Sequence, residues 1–254
     1  MSDSIKNNLF RIRDLVKDVD GFLTNREGEA LYKLASACRN GVIVEIGSWK
    51  GKSTIWLGKG AREAGAKTIY AIDHHVGSQE HQGDGGSVWT FKEFENNIRK
   101  AGLDDIVTPL VKTSAEARPL VNEPIDLLFV DGAHDYDSVR QDFRLWFPAV
   151  RNKGTVAFHD TPWPGVGQVV AEVLKTGQFC RAYFSDTLFF LTKTDQANIF
   201  DKICNQVMFH LSRSFYAVNA SSRPKWLRTF QKDVIKMFRF VFNPRPFVGR
   251  KKPA

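Results

Sequence analysis

Residues 41–53, with the sequence Gly-Val-Ile-Val-Glu-Ile-Gly-Ser-Trp-Lys-Gly-Lys-Ser, restrict the possible folds more than any other stretch. A short apolar run over residues 42–46 is followed by a loop with two glycines, and an amphipathic segment starts at Ser53. This order of strand, glycine loop and helix start is typical of a nucleotide-binding βα unit. The glycines let the backbone approach a ligand, and the helix start offers unpaired N–H groups.

The spacing within this loop decides which ligand it suits. A phosphate-binding P-loop has four residues between its first glycine and Gly-Lys-Ser, whereas three separate Gly47 from Gly51. The dinucleotide fingerprint fails because Trp49 stands where that motif has a glycine. The spacing Glu45-x-Gly47-x-x-x-Gly51 instead resembles the first motif of class I S-adenosylmethionine (SAM) methyltransferases.

In that family the loop cradles the amino-acid end of SAM, and the acidic residue of the strand helps to hold the SAM ammonium group. The resemblance therefore implies cofactor contacts at Glu45, Gly47, Ser48, Gly51 and Ser53. Taken from the residues alone, Glu45 has a second interpretation as a solvated carboxylate at the end of a strand. Its apolar neighbours disfavour that interpretation.

Length and charge predict one α/β domain with appendages. The chain has 254 residues and a net charge of +8, but residues 196–254 carry twelve basic and two acidic side chains. We therefore predict helices covering the core over residues 1–40, a SAM-binding core over residues 41–194 and a basic tail over residues 195–254. The start of the chain lacks an apolar signal segment and no apolar run is long enough to cross a bilayer, so we expect a cytoplasmic protein.

A second strand, over residues 68–73, ends in an acid. Asp73 lies 22 residues beyond Gly51, near the spacing at which a carboxylate accepts hydrogen bonds from ribose hydroxyls. We expect Asp73 and the adjacent His74 to contact the cofactor; the alternative is an ordinary strand-end Asp. After the third predicted strand, over residues 106–111, the resemblance implies adenine contacts at Ser114 and Ala115, although the same residues also suit a helix N-cap.

The loop over residues 74–87 contains three histidines and four glycines. A metal site at His74, His75 and His81 is one interpretation. We prefer a mobile lid over the cofactor and the acceptor, because so many glycines give ligands no rigid geometry.

Two predicted strands deliver polar side chains to one edge of the sheet. Asp131 follows the apolar run 127–130, and His159 and Asp160 follow a second run ending at residue 158. Two carboxylates in this position suit a divalent cation such as Mg²⁺, which would orient acceptor hydroxyls and lower the pKa of the attacking one. His134, after the turn at residue 132, suits a general base; the alternatives are a helix-capping acid at 131 and a surface histidine at 134.

The motifs Val-Asp-Gly-Ala-His and Phe-His-Asp resemble those of the macrocin- and mycinamicin-type sugar O-methyltransferases and their cephalosporin-pathway relatives, a methyltransferase family 24-like group. The resemblance extends over residues 20–192. It implies catalytic roles for Asp131 and His134, contact of Asp131 with the cofactor, and metal positions at Asp131, Asp160 and His159. Those relatives have an acidic pair where this chain has His159-Asp160, so the need for a metal is left open.

The remaining core elements complete a fold prediction. Residues 161–167 are rigid and aromatic, and Trp163 suits a wall of the acceptor pocket or ordinary packing. Strands at residues 180–184 and 188–192 flank a short turn. We predict an α/β fold: a Rossmann-like, doubly wound, seven-stranded sheet with a C-terminal antiparallel hairpin and appended amphipathic helices.

The tail contains two predicted helices. The first, over residues 196–218, has an apolar face formed by Ile199, Ile203, Val207, Leu211 and Phe215. The second, over residues 225–242, is aromatic on one side and basic on the other, which suits the inner surface of an anionic membrane. Packing on the core or on a second subunit, as in a homodimer, is equally compatible with these faces. Nucleic acid is disfavoured because no RNA-binding module accompanies the cations.

The function expected from these features is SAM-dependent O-methylation of a sugar or glycan hydroxyl, assisted by a metal and a histidine base. One alternative is a metal-independent methyltransferase of a phenolic or lipid-like acceptor. Another is a non-catalytic SAM-binding scaffold docked on a membrane.

Overall fold

The computed structural model describes residues 3–65, 68–77 and 88–219. The strands of its sheet are β1 (Val42–Ile46), β2 (Ile69–Ile72), β3 (Val107–Leu110), β4 (Ile125–Val130), β5 (Val150–Phe158), β6 (Phe179–Ser185) and β7 (Leu188–Lys193). The helices are α1 (Asp3–Val16), α2 (Asn25–Ala37), α3 (Lys52–Ala64), α4 (Phe91–Lys100), α5 (Ser114–Ala117), α6 (Tyr136–Trp146), α7 (Pro164–Lys175) and α8 (Ile199–Asn219).

The seven strands form one sheet in the order β3-β2-β1-β4-β5-β7-β6. Strands β1 to β5 pair in parallel, and β7 runs antiparallel to both of its neighbours. The strand order reverses between β1 and β4, the position at which open α/β sheets bind ligands. This architecture confirms the predicted seven-stranded fold with its C-terminal antiparallel pair.

The register of the parallel strands brings the polar strand ends together. Ile46 is paired with both Ile72 and Val130, and Val130 is paired with Phe158. The residues that follow, including Asp73, Asp131 and His159, therefore lie at one edge of the sheet.

Apolar side chains cover both faces of the sheet. Helices α1 to α4 pack with side chains such as Ile43 and Phe129 on one face, and α6 to α8 pack with Val44 and Phe158 on the other. Parallel strands are buried on both faces, so β1 and β4 are buried along their whole length and are apolar except for one acid each, Glu45 and Asp126.

Two helix starts differ by a few residues from those that the sequence predicts. The sequence predicts an N-cap at Asp137, but α6 is capped by Asp135, whose Oδ1 accepts from the Ser138 N–H at 3.0 Å. It also predicts a helix from Val88, whereas α4 begins at Phe91. Thr24 and Glu27 have the spacing of a capping box, and this prediction is confirmed, since they exchange side-chain and backbone hydrogen bonds at the start of α2.

Helix α8 packs on β6 and β7 through a face that overlaps only in part with the predicted one. Phe215 of the predicted face is buried, together with Asn205, Met208, Phe209 and Ser212, whereas Ile199 and Ile203 are 73% and 55% exposed. The reason lies in an irregularity of β6 near residue 181. There Asn205 accepts from the Ala182 N–H and donates to the Phe179 carbonyl, which fixes the helix rotation.

Helix α8 thus rests on the core. The division at residue 194 stays a prediction, and so do membrane contact and packing of the basic helix over residues 225–242, which lies outside the described residues. Among the helices that the structure describes, none is long and apolar enough to cross a membrane.

Candidate active site

The glycine loop after β1 packs tightly against the end of β4. Gly47 has φ +88°, and a Cβ at this position would lie 2.1 Å from the Asp131 carbonyl oxygen. Its N–H donates to the Ile72 carbonyl at 2.8 Å. Glycine is therefore required at residue 47 for both conformation and space.

Glu45 is fully buried beneath this loop, so its interpretation as a solvated carboxylate is wrong. The Thr54 hydroxyl donates to Oε2 at 2.5 Å, and Oε1 has no hydrogen-bond partner among the described residues. Burial raises the pKa of Glu45 to about 8, although contacts with Ser53 and Thr54 oppose the rise. The Ser48 hydroxyl is likewise buried without a partner. Unsatisfied acceptors at a glycine loop fit the ammonium group of SAM.

Asp73 connects the glycine loop to the segment after β2 through its two carboxylate oxygens. Oδ2 accepts from the Trp49 N–H at 2.8 Å and Oδ1 from the His75 N–H at 2.7 Å. Each oxygen retains acceptor capacity, since a carboxylate offers about four lone-pair sites. Contact between Asp73 and the SAM ribose thus stays a prediction. In addition, Asp73 fixes the backbone at Trp49 and His75.

The neighbouring histidines do not share a site. His75 is buried in an aromatic cluster with Phe91 and Phe94, its Nδ1 lies 2.9 Å from the Thr90 hydroxyl, and burial lowers its pKa. His74 is exposed. His81 and most of the predicted lid lie outside the described residues.

The predicted adenine position lies at the start of α5. Thr113 caps this helix in a capping box with Glu116, as the alternative interpretation expected. The Ser114 hydroxyl accepts from the Trp146 indole N–H at 2.8 Å. Contact of Ser114 and Ala115 with adenine stays a prediction.

Three of the predicted catalytic and metal-binding residues do converge at the carboxyl ends of β4 and β5. Potential ligand atoms of Asp131, His134 and Asp160 lie within 4.8 Å of one another. His134 Nε2 lies 3.3 Å from Asp160 Oδ2, and the His134 ring stacks on Trp163 with centroids 4.9 Å apart. Asp160 adopts φ +51°, outside the β region of the preceding strand. About one-fifth of each of these three side chains is exposed.

His159 lies beneath this group and is 3% exposed. Its Nδ1 lies 2.9 Å from Asp131 Oδ1 and 3.3 Å from Asp160 Oδ2, and its Nε2 lies 3.4 Å from Glu27 Oε2. Burial alone would lower the pKa of His159, but the surrounding carboxylates raise it well above its usual value. The pKa of Asp160 is lowered despite burial because His134 and His159 contact it. Burial raises the pKa of Asp131, opposed by His159.

This arrangement argues against His159 as one of the predicted cation ligands. Both of its ring nitrogens face carboxylates, so neither directs a lone pair at a cation beside Asp131 and Asp160. Among the described residues, the group able to hold a cation is Asp131, His134 and Asp160. A set with an imidazole nitrogen suits Mn²⁺ or Zn²⁺ better than Mg²⁺, which prefers oxygen ligands.

Two residues at the site were missed by the sequence reasoning. Their local sequence indicates only a capping residue at Glu27 and only a turn position at Thr187. Glu27 Oε1 accepts from the Thr187 N–H at 2.8 Å and from its hydroxyl at 2.7 Å. The capping-box pattern was the one available signal for Glu27, and it gives no indication of a contact with His159.

Comparison with known proteins finds a match to a methyltransferase domain. Residues 44–161 match the family model described as a methyltransferase domain, Methyltransf_24. An uncharacterized protein of Sinorhizobium fredii, y4gI, is 32% identical over 54% of this chain and 15% of its own length. A catechol O-methyltransferase of Mycobacterium tuberculosis is 28% identical over 58% of this chain and 59% of its own length. The chain thus spans less than two-thirds of either relative.

A solved structure supports the same class at the level of the fold. The O-methyltransferase TomG of Streptomyces achromogenes, in complex with SAM, superimposes with a TM-score of 0.54 at 16% identity, covering 76% of this chain and 91% of that one. Residues 44–161 thus match a methyltransferase domain, and the fold agrees with that of a SAM-bound O-methyltransferase. These matches agree with the class and the cofactor predicted from the sequence.

Proposed function

We propose that the protein transfers the methyl group of SAM to a hydroxyl of a small polar acceptor, with a sugar or glycan as the favoured class. The observation that carries this proposal is the His134–Asp160 pair at 3.3 Å, beside the glycine loop and under the ring of Trp163. A histidine oriented by a carboxylate suits proton abstraction from a hydroxyl. An aromatic face that is 45% exposed suits packing against a sugar ring.

Each residue has a distinct part in the proposed reaction. Bound SAM supplies an activated methyl group on a positively charged sulfur. Asp131 and Trp163 orient the acceptor, and His134 takes the hydroxyl proton as the oxygen attacks. Asp160 then balances the charge gained by His134. Because the displacement is in line, alignment and deprotonation supply most of the catalysis.

Cofactor binding and acceptor class can be tested together. Calorimetry with SAM should show binding to the wild-type protein and weaker binding to Asp73→Ala. Labelled SAM should then transfer methyl to members of a panel of methyl glycosides, nucleotide sugars and catechol. Absence of SAM binding, or transfer to catechol alone, would contradict the proposal.

A second candidate is cation-assisted transfer, favoured by the convergence of Asp131, His134 and Asp160. These residues would hold the ion, and the ion would lower the pKa of the acceptor hydroxyl. His134 would then be a ligand rather than the base. Activity abolished by EDTA and restored by Mn²⁺ would establish this candidate; activity unaffected by EDTA would support the histidine base. The mycobacterial relative is a catechol O-methyltransferase, and catechol is a phenol, so a phenolic hydroxyl is the alternative class of acceptor.

We further propose that the tail over residues 195–254, which rests on the core through α8, contacts an anionic membrane on its cytoplasmic side. Supporting this are the exposed side chains of Ile199, Phe200 and Ile203 at the start of α8 and the ten basic residues beyond residue 219. A homodimer contact through the same surface is the competing outcome. A catalytically inactive, membrane-docked scaffold would show SAM binding without methyl transfer to any acceptor.

A further inference from the structure

The carboxylate of Glu27 connects helix α2 to His159, which follows β5, and to Thr187, which lies in the turn between β6 and β7. Glu27 is 1% exposed and occupies the third position of α2. Its Oε2 accepts from the Thr24 N–H at 2.9 Å and lies 3.4 Å from His159 Nε2. Its Oε1 accepts from the N–H and the hydroxyl of Thr187, in the turn between β6 and β7.

These contacts require two acceptor oxygens. The Thr24 and Thr187 backbone groups are fixed donors, one on each side of the carboxylate. An ionised carboxylate accepts on both sides, whereas an amide of the same shape would direct its NH₂ group at donors on one side. The position therefore selects glutamate over glutamine even though the two are nearly isosteric.

The same carboxylate restricts the His159 ring. With Nε2 directed at Glu27, Nδ1 is directed at Asp131 and Asp160, at 2.9 and 3.3 Å. Thr187 adds a second link, because its hydroxyl also lies 3.2 Å from Asp160 Oδ1. Helix α2 and the β6–β7 turn thus help to fix the positions of the Asp131 and Asp160 carboxylates, through His159 and Thr187.

We propose that Glu27 is a positioning residue of the methyl-transfer site, which fixes the His159 ring so that its Nδ1 supports Asp131 and Asp160. This inference rests on the proposed function insofar as those two carboxylates serve the acceptor. It assigns to α2 a part in organising the site, beyond covering the core.

Capping of α2 is the competing role, and the chain offers matched controls for it. Thr24→Ala removes the cap hydroxyl that accepts from the Glu27 N–H, but leaves the Glu27 carboxylate in place. Glu116 forms the same capping box with Thr113 at the start of α5, where it is exposed and contacts no residue of this group. Glu116→Gln therefore reports the cost of losing a capping carboxylate alone.

The test observes the His159 ring directly. The full-length protein, labelled with ¹⁵N in its six histidines, is examined for slowly exchanging ring N–H groups, with His159→Gln used for assignment. We expect both ring N–H signals of His159 in the wild type, in Thr24→Ala and in Glu116→Gln. Glu27→Gln should lose the Nε2–H signal while its SAM affinity is unchanged. Once an acceptor that the protein methylates has been identified, the kcat of Glu27→Gln should fall about 10- to 100-fold at unchanged KM for SAM. Losses of this size are usual when a partner that orients a functional histidine is removed.

The proposal is overturned if the Nε2–H signal persists in Glu27→Gln, or if Thr24→Ala loses it equally. Should Glu27→Gln fail to fold, the wild-type spectrum still decides, because a His159 ring without a proton on Nε2 contradicts the proposed contact. Failure to methylate any acceptor would overturn the proposed function and leave this result intact, since the ring signals need no acceptor.

Discussion

At the scale of the residue, the buried acid of β1 has consequences for stability. The pKa of Glu45 is raised from 4.5 to about 8 because burial disfavours its charged form. Its ordinary value applies in the unfolded chain, so unfolding is accompanied by proton release between these two pH values. The stabilisation associated with the neutral carboxyl is complete below pH 4.5 and is lost as the pH rises towards 8.

We expect Glu45→Gln to flatten this dependence. Urea unfolding of the SAM-free wild type should give a free energy that decreases between pH 5 and 8, with each unit of pKa shift worth about 1.4 kcal/mol at most. The amide variant, which cannot ionise, should lose less stability over that range. Glu116→Gln, at an exposed site, should retain the wild-type slope. A wild-type curve that rises with pH would contradict the assignment.

The proposed role of His134 as general base can also be tested by single substitutions. His134→Ala should reduce methyl transfer by about 10²- to 10⁴-fold, the usual contribution of a general base, with SAM affinity unchanged. Asp160→Asn should lower activity by weakening the orientation of His134. Steady-state kinetics and SAM calorimetry check both variants. Equal losses of SAM affinity and turnover would show that His134 supports the cofactor site instead.

At the scale of the element, sequence reasoning succeeded where neighbours in the chain determine the structure. The strand at residues 42–46 and the glycine loop could be predicted because apolar runs, glycines and helix starts are local signals. The convergence of Asp131 and Asp160 could be predicted because parallel strands end at the same edge.

Contacts between distant segments escaped prediction. Glu27 and His159 are 132 positions apart, and each has an ordinary local explanation that hides the contact. The buried face of α8 departs from the predicted one in the first turns of the helix because Asn205 satisfies a backbone irregularity in β6, which no hydrophobic period reveals. The cap of α6 lay two residues earlier than predicted, since Asp135 and Asp137 are chemically alike.

The packing of α8 gives a prediction for that helix. Phe209 is 3% exposed and contacts the Phe189 ring of β7, with centroids 5.5 Å apart. Phe209→Ala should lower the free energy of unfolding by about 3–5 kcal/mol. Ile203→Ala, on the exposed side of the same helix, should change it by less than about 0.5 kcal/mol. Equal effects in denaturant titrations would mean that α8 does not pack as described.

At the scale of the whole molecule, the uneven charge predicts behaviour that the sheet alone does not. Residues 220–254 carry ten basic side chains and one acidic one. We expect the full-length protein to sediment with phosphatidylserine-containing vesicles and a variant ending at Asn219 to bind them weakly, because each cation near such a surface contributes about 1 kcal/mol. Binding should weaken with added salt.

The matched control keeps the length of the chain. Replacing Lys225, Lys232 and Lys236 by glutamate in the full-length protein should reduce vesicle binding as truncation does. Equal sedimentation of all three proteins would remove the membrane proposal, and a change in oligomeric state on truncation would establish the dimer instead.

The close contact between Gly47 and the Asp131 carbonyl has a thermodynamic consequence. In the proposed reaction the loop would receive SAM and the strand end would serve the acceptor, and the two meet where even a methyl group would not fit. We therefore expect a displacement of either to be transmitted to the other. Binding of the two substrates would then be energetically coupled, and reciprocity requires that SAM change the affinity for the acceptor by the same factor as the acceptor changes the affinity for SAM.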